Sequence, residues 1–307
     1  MHIHRSMSGV EVWAPAKLNL FLEVLAKRTD GYHEIETLMV PVDWYDTLRL
    51  SACSSGRVSL TCRLAAGSRV TASADPFELP PAADNLAVRA VELLRQRSGV
   101  EQGAQIELTK RIPLASGLAG GSSDAAAALV AANAAWNLGY NGEQLADIGA
   151  ELGSDVPFFI HGGPAVCRGR GERVEPVRDL APMHFVVARP PVGLSTPAVY
   201  GRCRPADGSP GHGPQRVGPL LDALRIGDLG RAGRLLHNAL MQAAEQLSTW
   251  IGRLKHEFAA AGCLGHQMSG SGTSYFGLCR HARHAQRLAA ALRSRGIAQV
   301  QAVAGSY

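Results

Sequence analysis

Pro113-Leu-Ala-Ser-Gly117-Leu-Ala-Gly120-Gly121-Ser122-Ser123-Asp124 runs without a break into Ala125 to Ala128, Leu129 and Val130, an alanine-rich stretch of strong helix propensity. A glycine-rich turn that feeds a helix presents unpaired backbone N–H groups and the positive end of the helix dipole. That is a cradle for an anion, and phosphate is the usual one. Ser122 and Ser123 add hydroxyls able to touch a phosphate oxygen or a phosphate-bound Mg²⁺. The same residues also read as a plain glycine turn followed by a Ser/Asp helix cap. The density of glycine and serine favours phosphate.

Two commoner phosphate loops are excluded. A Walker A loop needs Lys before its final Ser/Thr, and no lysine lies between Lys110 and Lys255. A dinucleotide fingerprint needs G-x-G-x-x-G and an acidic residue at the end of the second strand. Here the glycines read G-x-x-G-G, and Glu143 falls in a helical-looking segment (143–152). This is a third kind of loop.

At 307 residues the chain holds one large domain or two ordinary ones, and 46% hydrophobic with 19% charged residues describes a soluble globular protein. No apolar run approaches a membrane helix, and Met1-His-Ile-His-Arg-Ser6 does not read as a signal peptide. The net charge of +5 is mild, and the arginines are scattered without the basic runs and interleaved aromatics of a nucleic-acid surface. An anionic small substrate accounts for it, and so does chance. The six cysteines show no C-x-x-C and no metal-like pairing with histidine, so they read as reduced thiols of a cytosolic protein.

Outward from the glycine loop, the chain reads as a mixed α+β protein of two layered halves with a cleft between them. In Trp13-Ala-Pro-Ala-Lys17-Leu-Asn19-Leu-Phe-Leu-Glu23-Val24, leucines 18, 20 and 22 point one way while Lys17 and Asn19 share the other face. With a turn at 28–31 and apolar runs at 35–42, 46–50 and 58–64, the first 65 residues read as a β-meander. Helices are expected at 85–96, 124–138 and 143–152, and a strand at 104–108. In the second half, strands are expected at 165–167, 174–177, 185–188 and 275–279. Helices are expected there at 218–224, 229–247, 249–261 and 284–295. Residues 205–217 and 65–83, rich in Pro, Gly, Ala and Ser, read as surface loops, the first of them mobile.

Phosphoryl transfer needs the nucleotide phosphates cradled, their charge neutralised, and the acceptor hydroxyl aligned and relieved of its proton. Asp155, on the link Gly153-Ser-Asp155-Val-Pro157, is the candidate base, or else an N-cap with Pro157 just inside a helix. Lys17 is a candidate partner, or a solvated strand residue. Tyr32-His33 at a strand start could stack on and hydrogen-bond a base, or cap the sheet. Met268-Ser-Gly270-Ser-Gly272-Thr273-Ser274 is a second glycine–serine loop that pairs with the first if both line one cleft.

Taken in order, Pro15-Ala-Lys17-Leu-Asn19-Leu, Arg28-x-Asp30-Gly31-Tyr32-His33-Glu34, Gly117-Leu-Ala-Gly120-Gly121-Ser-Ser-Asp124, Gly153-Ser-Asp155-Val-Pro157-Phe and Ser269-Gly-Ser-Gly272-Thr273 resemble the GHMP kinase superfamily. Within it they look like the branch that acts on 4-diphosphocytidyl-2-C-methyl-D-erythritol. The resemblance spans nearly the whole chain. It implies a two-domain α+β GHMP kinase fold, with a ribosomal-protein-S5-like N-terminal domain (1–170) and a ferredoxin-like C-terminal domain (171–307). It implies an ATP- and Mg²⁺-dependent kinase of the 2-hydroxyl in isoprenoid precursor synthesis, as a monomer or weak homodimer.

Position by position, the resemblance makes Asp155 the catalytic aspartate and Lys17 the lysine that holds the acceptor hydroxyl and that aspartate. Asn19, Thr196, Gly270, Ser271 and Gly272 would bind the acceptor, with Tyr32 and Tyr200 sandwiching cytosine and His33 reading its edge. ATP would meet Asn85, Lys110, Pro113, Leu114, Ala115, Ser116, Gly117, Leu118, Ala119, Gly120, Gly121, Ser122 and Ser123, with Mg²⁺ reached through Ser122 or Ser123. Two departures stand out. Ala119 replaces a glycine of the family loop, and Ala239 follows Asn238 where an acidic residue is usual. Rival readings are another GHMP small-molecule kinase, against which Tyr32-His33 argues, and a catalytically silent nucleotide-binding regulator, against which Lys17 and Asp155 argue.

Overall fold

The computed structural model describes residues 1–7, 9–65, 81–204, 216–297 and 299–306. Most of the two loops expected at 65–83 and 205–217 therefore lies outside the described residues.

The N-terminal strands are β1 (His2–Ser6), β2 (Gly9–Lys27), β3 (His33–Cys53) and β4 (Val58–Leu64). After them come α1 (Leu86–Ser98), β5 (Gly103–Lys110), α2 (Gly120–Ala135), α3 (Gly142–Leu152), α4 (Val156–His161), β6 (Ala165–Gly169) and β7 (Arg173–Pro176). The second half carries β8 (His184–Arg189), α5 (Thr196–Arg202), α6 (Gly218–Arg225), α7 (Leu229–Arg234), β9 (His237–Asn238), α8 (Met241–Leu247) and α9 (Thr249–Ala261). It ends with β10 (Gly265–Met268), β11 (Tyr275–Cys279), α10 (Ala282–Ser294) and β12 (Gln299–Ala304).

Two sheets result. The larger runs β1-β2-β3-β5-β4, with β6 and β7 extending from β3 and β9 pairing β2. The smaller runs β10-β11-β8-β12, antiparallel throughout. The N-terminal strands are thus not a simple meander, because β5 inserts between β3 and β4 and pairs β4 in parallel. Strand-period patterning reports which residues share a face, and it carries no information about which strand lies alongside.

β2 and β3 form one long antiparallel hairpin whose register shifts at Pro15/Ala16, Asn19/Phe21 and Val24/Ala26. Each shift re-aims the side chains that follow it. The apolar faces of α1, α2 and α3 cover one side of the large sheet around Val12, Leu48, Ile106, Val91 and Leu129. On the other side, Leu18, Leu20 and Leu38 pack against Phe185, Val187 and Phe276 of the small sheet. The middle of β2 is therefore enclosed on both faces. Lys17 and Asn19, 4% and 2% exposed, are both buried, so Lys17 is not the solvated strand residue that its strand alone also allowed.

The expected helix at 229–247 is three elements, α7, β9 and α8. Asn238 is the reason. Its Oδ1 accepts the Leu240 N–H (2.9 Å), and its Nδ2 donates to Met268 O (2.8 Å) and Gly270 O (2.9 Å). Its backbone meanwhile pairs with Leu22 beside β2. Side-chain bonds of this kind compete with helix. Short strands β1, β10 and β12 complete the sheet edges beyond the strands read from sequence.

Candidate active site

A cleft of about 900 Å³ opens where the start of α2, the middle of β2 and the 270–272 turn converge. The two glycine loops meet across it. Gly117 lies at φ +76°, and a Cβ there would stand 2.3 Å from Ser269 O, so only glycine allows the contact. Ser274 N–H donates to Ser116 O (2.9 Å), Lys17 N–H donates to Leu118 O (3.1 Å), and Ser269 Oγ lies 3.1 Å from Gly117 O. These bonds tie both loops to β2.

α2 starts at Gly120 with Ala119 before it at φ +56°, ψ 32°. A left-handed alanine costs about 1 kcal/mol relative to glycine in that conformation, so the departure at Ala119 carries a real strain. Ser123 N–H donates to Ala119 O (2.9 Å), which leaves the N–H groups of Gly120, Gly121 and Ser122 before it without an intrahelical acceptor, as an anion cradle requires. The Ser123 hydroxyl is fully buried beside this turn and has no partner among the described residues.

Beneath the loop, the Lys110 ammonium is held by Asp46 and Asp124, and all three side chains are buried. Burial by itself would lower the lysine pKa, but Asp124 and Asp46 together raise it well above the ordinary value. Burial, with Asp46 adding to it, pushes the Asp124 carboxyl upward against the pull of Lys110. Asp46 Oδ1 also accepts the Ile112 N–H (2.8 Å). The cluster clamps β3, β5 and α2 at the root of the glycine loop. A Cβ on Gly120 would stand 3.2 Å from Lys110 Nζ.

At the centre of the cleft Lys17 Nζ donates to Asn19 Oδ1 (2.6 Å) and sits 3.5 Å from Asp155 Oδ2. Asn19 is oriented from behind. Its Nδ2 donates to Thr37 Oγ1 (2.9 Å), and the Thr37 hydroxyl donates to Phe21 O (2.6 Å). Asp155 occupies the cap position of α4 with Pro157 inside the helix, yet its side chain makes no cap hydrogen bond. The carboxylate faces Lys17 instead. Gly270, at φ +56°, lies over the pair, and a Cβ there would be 3.1 Å from Asn19 Oδ1 and 3.3 Å from Lys17 Nζ.

The far end of the cleft is aromatic. The His33 and Tyr200 rings lie 5.1 Å apart at 33°, and Tyr32 is 52% exposed nearby. Burial, then the charge of Lys27, lowers the His33 pKa, so the ring is neutral at pH 7. Burial, then the Asp155 charge, raises the Tyr200 hydroxyl. Thr196 Oγ1 and Ser271 Oγ are 2.8 Å apart at the cleft rim.

Most residues singled out in the sequence line this one cleft, from Lys17 and Asn19 through the 113–122 loop to Asp155, Thr196, Tyr200 and 270–272. Three stand elsewhere. Asn85 caps α1, accepting the Ala87 N–H (2.9 Å), and it is Leu86 that reaches the cleft wall. Leu118 is a core residue, and Ser123 lies under the helix start. Residues the sequence did not flag are Thr37, Gln267 and Arg170, and Asn238 was named there only as the residue before Ala239. Gln267 Nε2 donates to Asn19 O (2.9 Å). Each acts through a contact distant in sequence, and a single sequence carries no signal of such contacts.

The GHMP kinases N-terminal domain model matches residues 85–163, and the GHMP kinases C-terminal model matches 220–298. A 4-diphosphocytidyl-2-C-methyl-D-erythritol kinase of Pelotomaculum thermopropionicum is 41% identical over 91% of this chain and 92% of its own length. One from Gloeobacter violaceus is 40% identical over 93% and 91%. The crystal structure of a 4-(cytidine 5′-diphospho)-2C-methyl-D-erythritol kinase superposes with a TM-score of 0.79 at 36% identity, covering 97% of this chain and all of that one. A homoserine kinase from Cytophaga hutchinsonii (22% identity, TM-score 0.75, 100% and 97% covered) shares the fold. The chain has the two-domain GHMP kinase fold and belongs to the 4-diphosphocytidyl-2-C-methyl-D-erythritol kinase family of GHMP kinases.

Proposed function

We propose that this protein transfers the γ-phosphoryl group of ATP to the 2-hydroxyl of 4-diphosphocytidyl-2-C-methyl-D-erythritol. The observation that carries the reading is the placement of Lys17 and Asp155, 3.5 Å apart, between a helix-start phosphate cradle and an aromatic slot. One cleft offers a place for each end of the reaction.

In this reading the free N–H groups of Gly120, Gly121 and Ser122 take the ATP phosphates. The acceptor hydroxyl lies between Lys17 Nζ and Asp155 Oδ2. Asp155 takes or directs its proton, and the Lys17 charge lowers the cost of the forming alkoxide. Asn19 holds Lys17 in place through Oδ1. The cytosine enters between Tyr32 and Tyr200, with His33 at its edge. Stacking tolerates any base, so choice among bases rests on hydrogen bonds.

Mg²⁺ fits the donor set. Ser122 lines the cleft, and hydroxyl and phosphate oxygens suit a hard cation, whereas Ser123 is fully buried away from the cleft and does not reach it. Among the described residues no cluster of three or more His, Cys, Asp or Glu could hold a metal by itself, so Ser122 would hold it together with the nucleotide phosphates. Bound there, it would neutralise phosphate charge.

The division into domains 1–170 and 171–307, and a monomer or weak homodimer in the cytoplasm, belong to the same proposal. No helix among the described residues is long and apolar enough to cross a membrane.

The test is purified protein with ATP, Mg²⁺ and a panel of acceptors: the diphosphocytidyl substrate, its uridine analogue, mevalonate and homoserine. Turnover confined to the cytidine compound is the expected result. Equal turnover of the uridine analogue, or preference for another acceptor, would overturn it.

A further inference from the structure

Arg170 stands on the turn between β6 and β7, at the aromatic end of the cleft, which it lines together with Asp155, Tyr32 and Tyr200. Its guanidinium carbon lies 5.2 Å from the centroid of the Tyr32 ring, within cation–π range. The same guanidinium donates to Ala150 O (2.7 Å) in the last turns of α3, so the charge is anchored. The backbone beneath it is anchored too. Arg170 N–H donates to Glu172 Oε2 (2.8 Å), and Gly171 N–H donates to Arg168 O (3.1 Å).

Tyr32 is in the opposite condition. Its backbone is tied, with N–H donating to Asp30 Oδ1 (3.1 Å), but 52% of the residue is exposed. Surrounding packing therefore does little to fix its ring. A stacking platform that is free to rotate loses entropy when a base lands on it, and that loss weakens binding.

We infer that Arg170 is a positioning residue for the nucleobase of the acceptor, holding the Tyr32 ring at the slot through its guanidinium. The inference rests on the functional reading above. It makes Arg170 act on acceptor binding and leaves the phosphoryl-transfer step to Lys17 and Asp155. A cation–π contact at an exposed site is worth about a 2- to 5-fold change in an equilibrium constant.

The experiment compares Arg170→Gln and Arg170→Lys with wild type, each also in a Tyr32→Ala background. Arg170→Gln should raise KM for the cytidine acceptor about 2- to 5-fold while kcat and KM for ATP stay constant. Arg170→Lys, which keeps a cation, should fall between the two. With Tyr32 removed, Arg170→Gln should add nothing. An unmoved KM, a fall in kcat at constant KM, or the same loss in the Tyr32→Ala background would each overturn the assignment.

Calorimetric titration with cytidine 5′-diphosphate separates this inference from the functional reading, because it needs no turnover. If wild type binds the probe more tightly than Arg170→Gln yet phosphorylates no cytidine acceptor, the positioning role stands and the kinase reading falls. If wild type binds the probe no more tightly than Arg170→Gln, the positioning role falls, while the kinase reading stands or falls by turnover alone.

Discussion

Asp155 Oδ2 faces Lys17 Nζ across 3.5 Å, although its backbone occupies a helix-cap position whose ordinary use is to bind the first free N–H groups. The carboxylate forgoes the cap and points into the cleft. The sequence reading left a cap and a catalytic base open, and the side chain makes no cap hydrogen bond. Asp155→Asn should keep the fold, since no cap hydrogen bond is lost, and should keep ATP affinity. Its kcat should drop roughly 10²–10⁴-fold with little change in KM, the mark of an interaction made in the transition state. Steady-state kinetics with a thermal melt checks it. A near-wild-type kcat would remove Asp155 from the chemistry.

Gly120 and Gly121 are adjacent in the loop but face different surroundings. A Cβ on Gly120 would meet Ile112 Cγ2 at 3.0 Å and Lys110 Nζ at 3.2 Å, whereas on Gly121 it meets only Leu86 Cδ1 at an ordinary 3.6 Å. Gly120→Val should therefore lower the melting temperature as well as nucleotide affinity. Gly121→Val should melt as wild type does and still lose affinity for a non-hydrolysable ATP analogue by calorimetry, because its side chain blocks only the ligand. Unchanged affinity in a folded Gly121→Val variant would put the phosphates elsewhere.

Much of this site was legible because its parts are local. The glycine–serine runs at 117–123 and 269–274 announce close backbone approach, and Gly117 against Ser269 O shows why. Strand alternation put Lys17 and Asn19 on one face, and they are hydrogen-bonded there. Long-range partnership was not legible. Nothing in 229–247 marks Asn238 as the residue that breaks the helix, since its bonds go to Met268 and Gly270. Nothing near Arg170 points to Tyr32. The insertion of β5 between β3 and β4 is a choice of neighbour, to which side-chain periodicity is blind.

Asn238 holds the second glycine loop from below, and its buried Nδ2 donates to two carbonyls at once. Asn238→Asp keeps the shape and the acceptor for Leu240 N–H but turns the donor into an oxygen facing Met268 O and Gly270 O. Leaving such groups unpaired costs roughly 1–3 kcal/mol. The variant should lose about that much unfolding free energy in a denaturant titration. KM for the acceptor should rise, because Gly270 lies over Lys17 and Asn19. Loss of stability with unaltered kinetics would show that the loop keeps its place without Asn238.

The pH dependence of acceptor binding follows from His33. Burial, then the Lys27 charge, holds its pKa below the ordinary histidine value, so the neutral ring persists through neutral pH with one donor and one acceptor nitrogen. Falling pH converts it to a cation with two donors and no acceptor. Any bond in which the ring accepts from the cytosine amino group is then lost. Because the folded pKa is lowered, the midpoint of the change lies on the acid side of an ordinary histidine. KM for the cytidine acceptor should be flat in the alkaline part of the range and rise toward acid pH, while KM for ATP stays level. His33→Gln, which cannot titrate, should show a weaker base preference and no such rise. The measurement is a KM profile for both substrates between pH 5 and 8, in wild type and variant. A wild-type KM that stays flat to pH 5, or an identical rise in His33→Gln, would mean that this ring does not read the base.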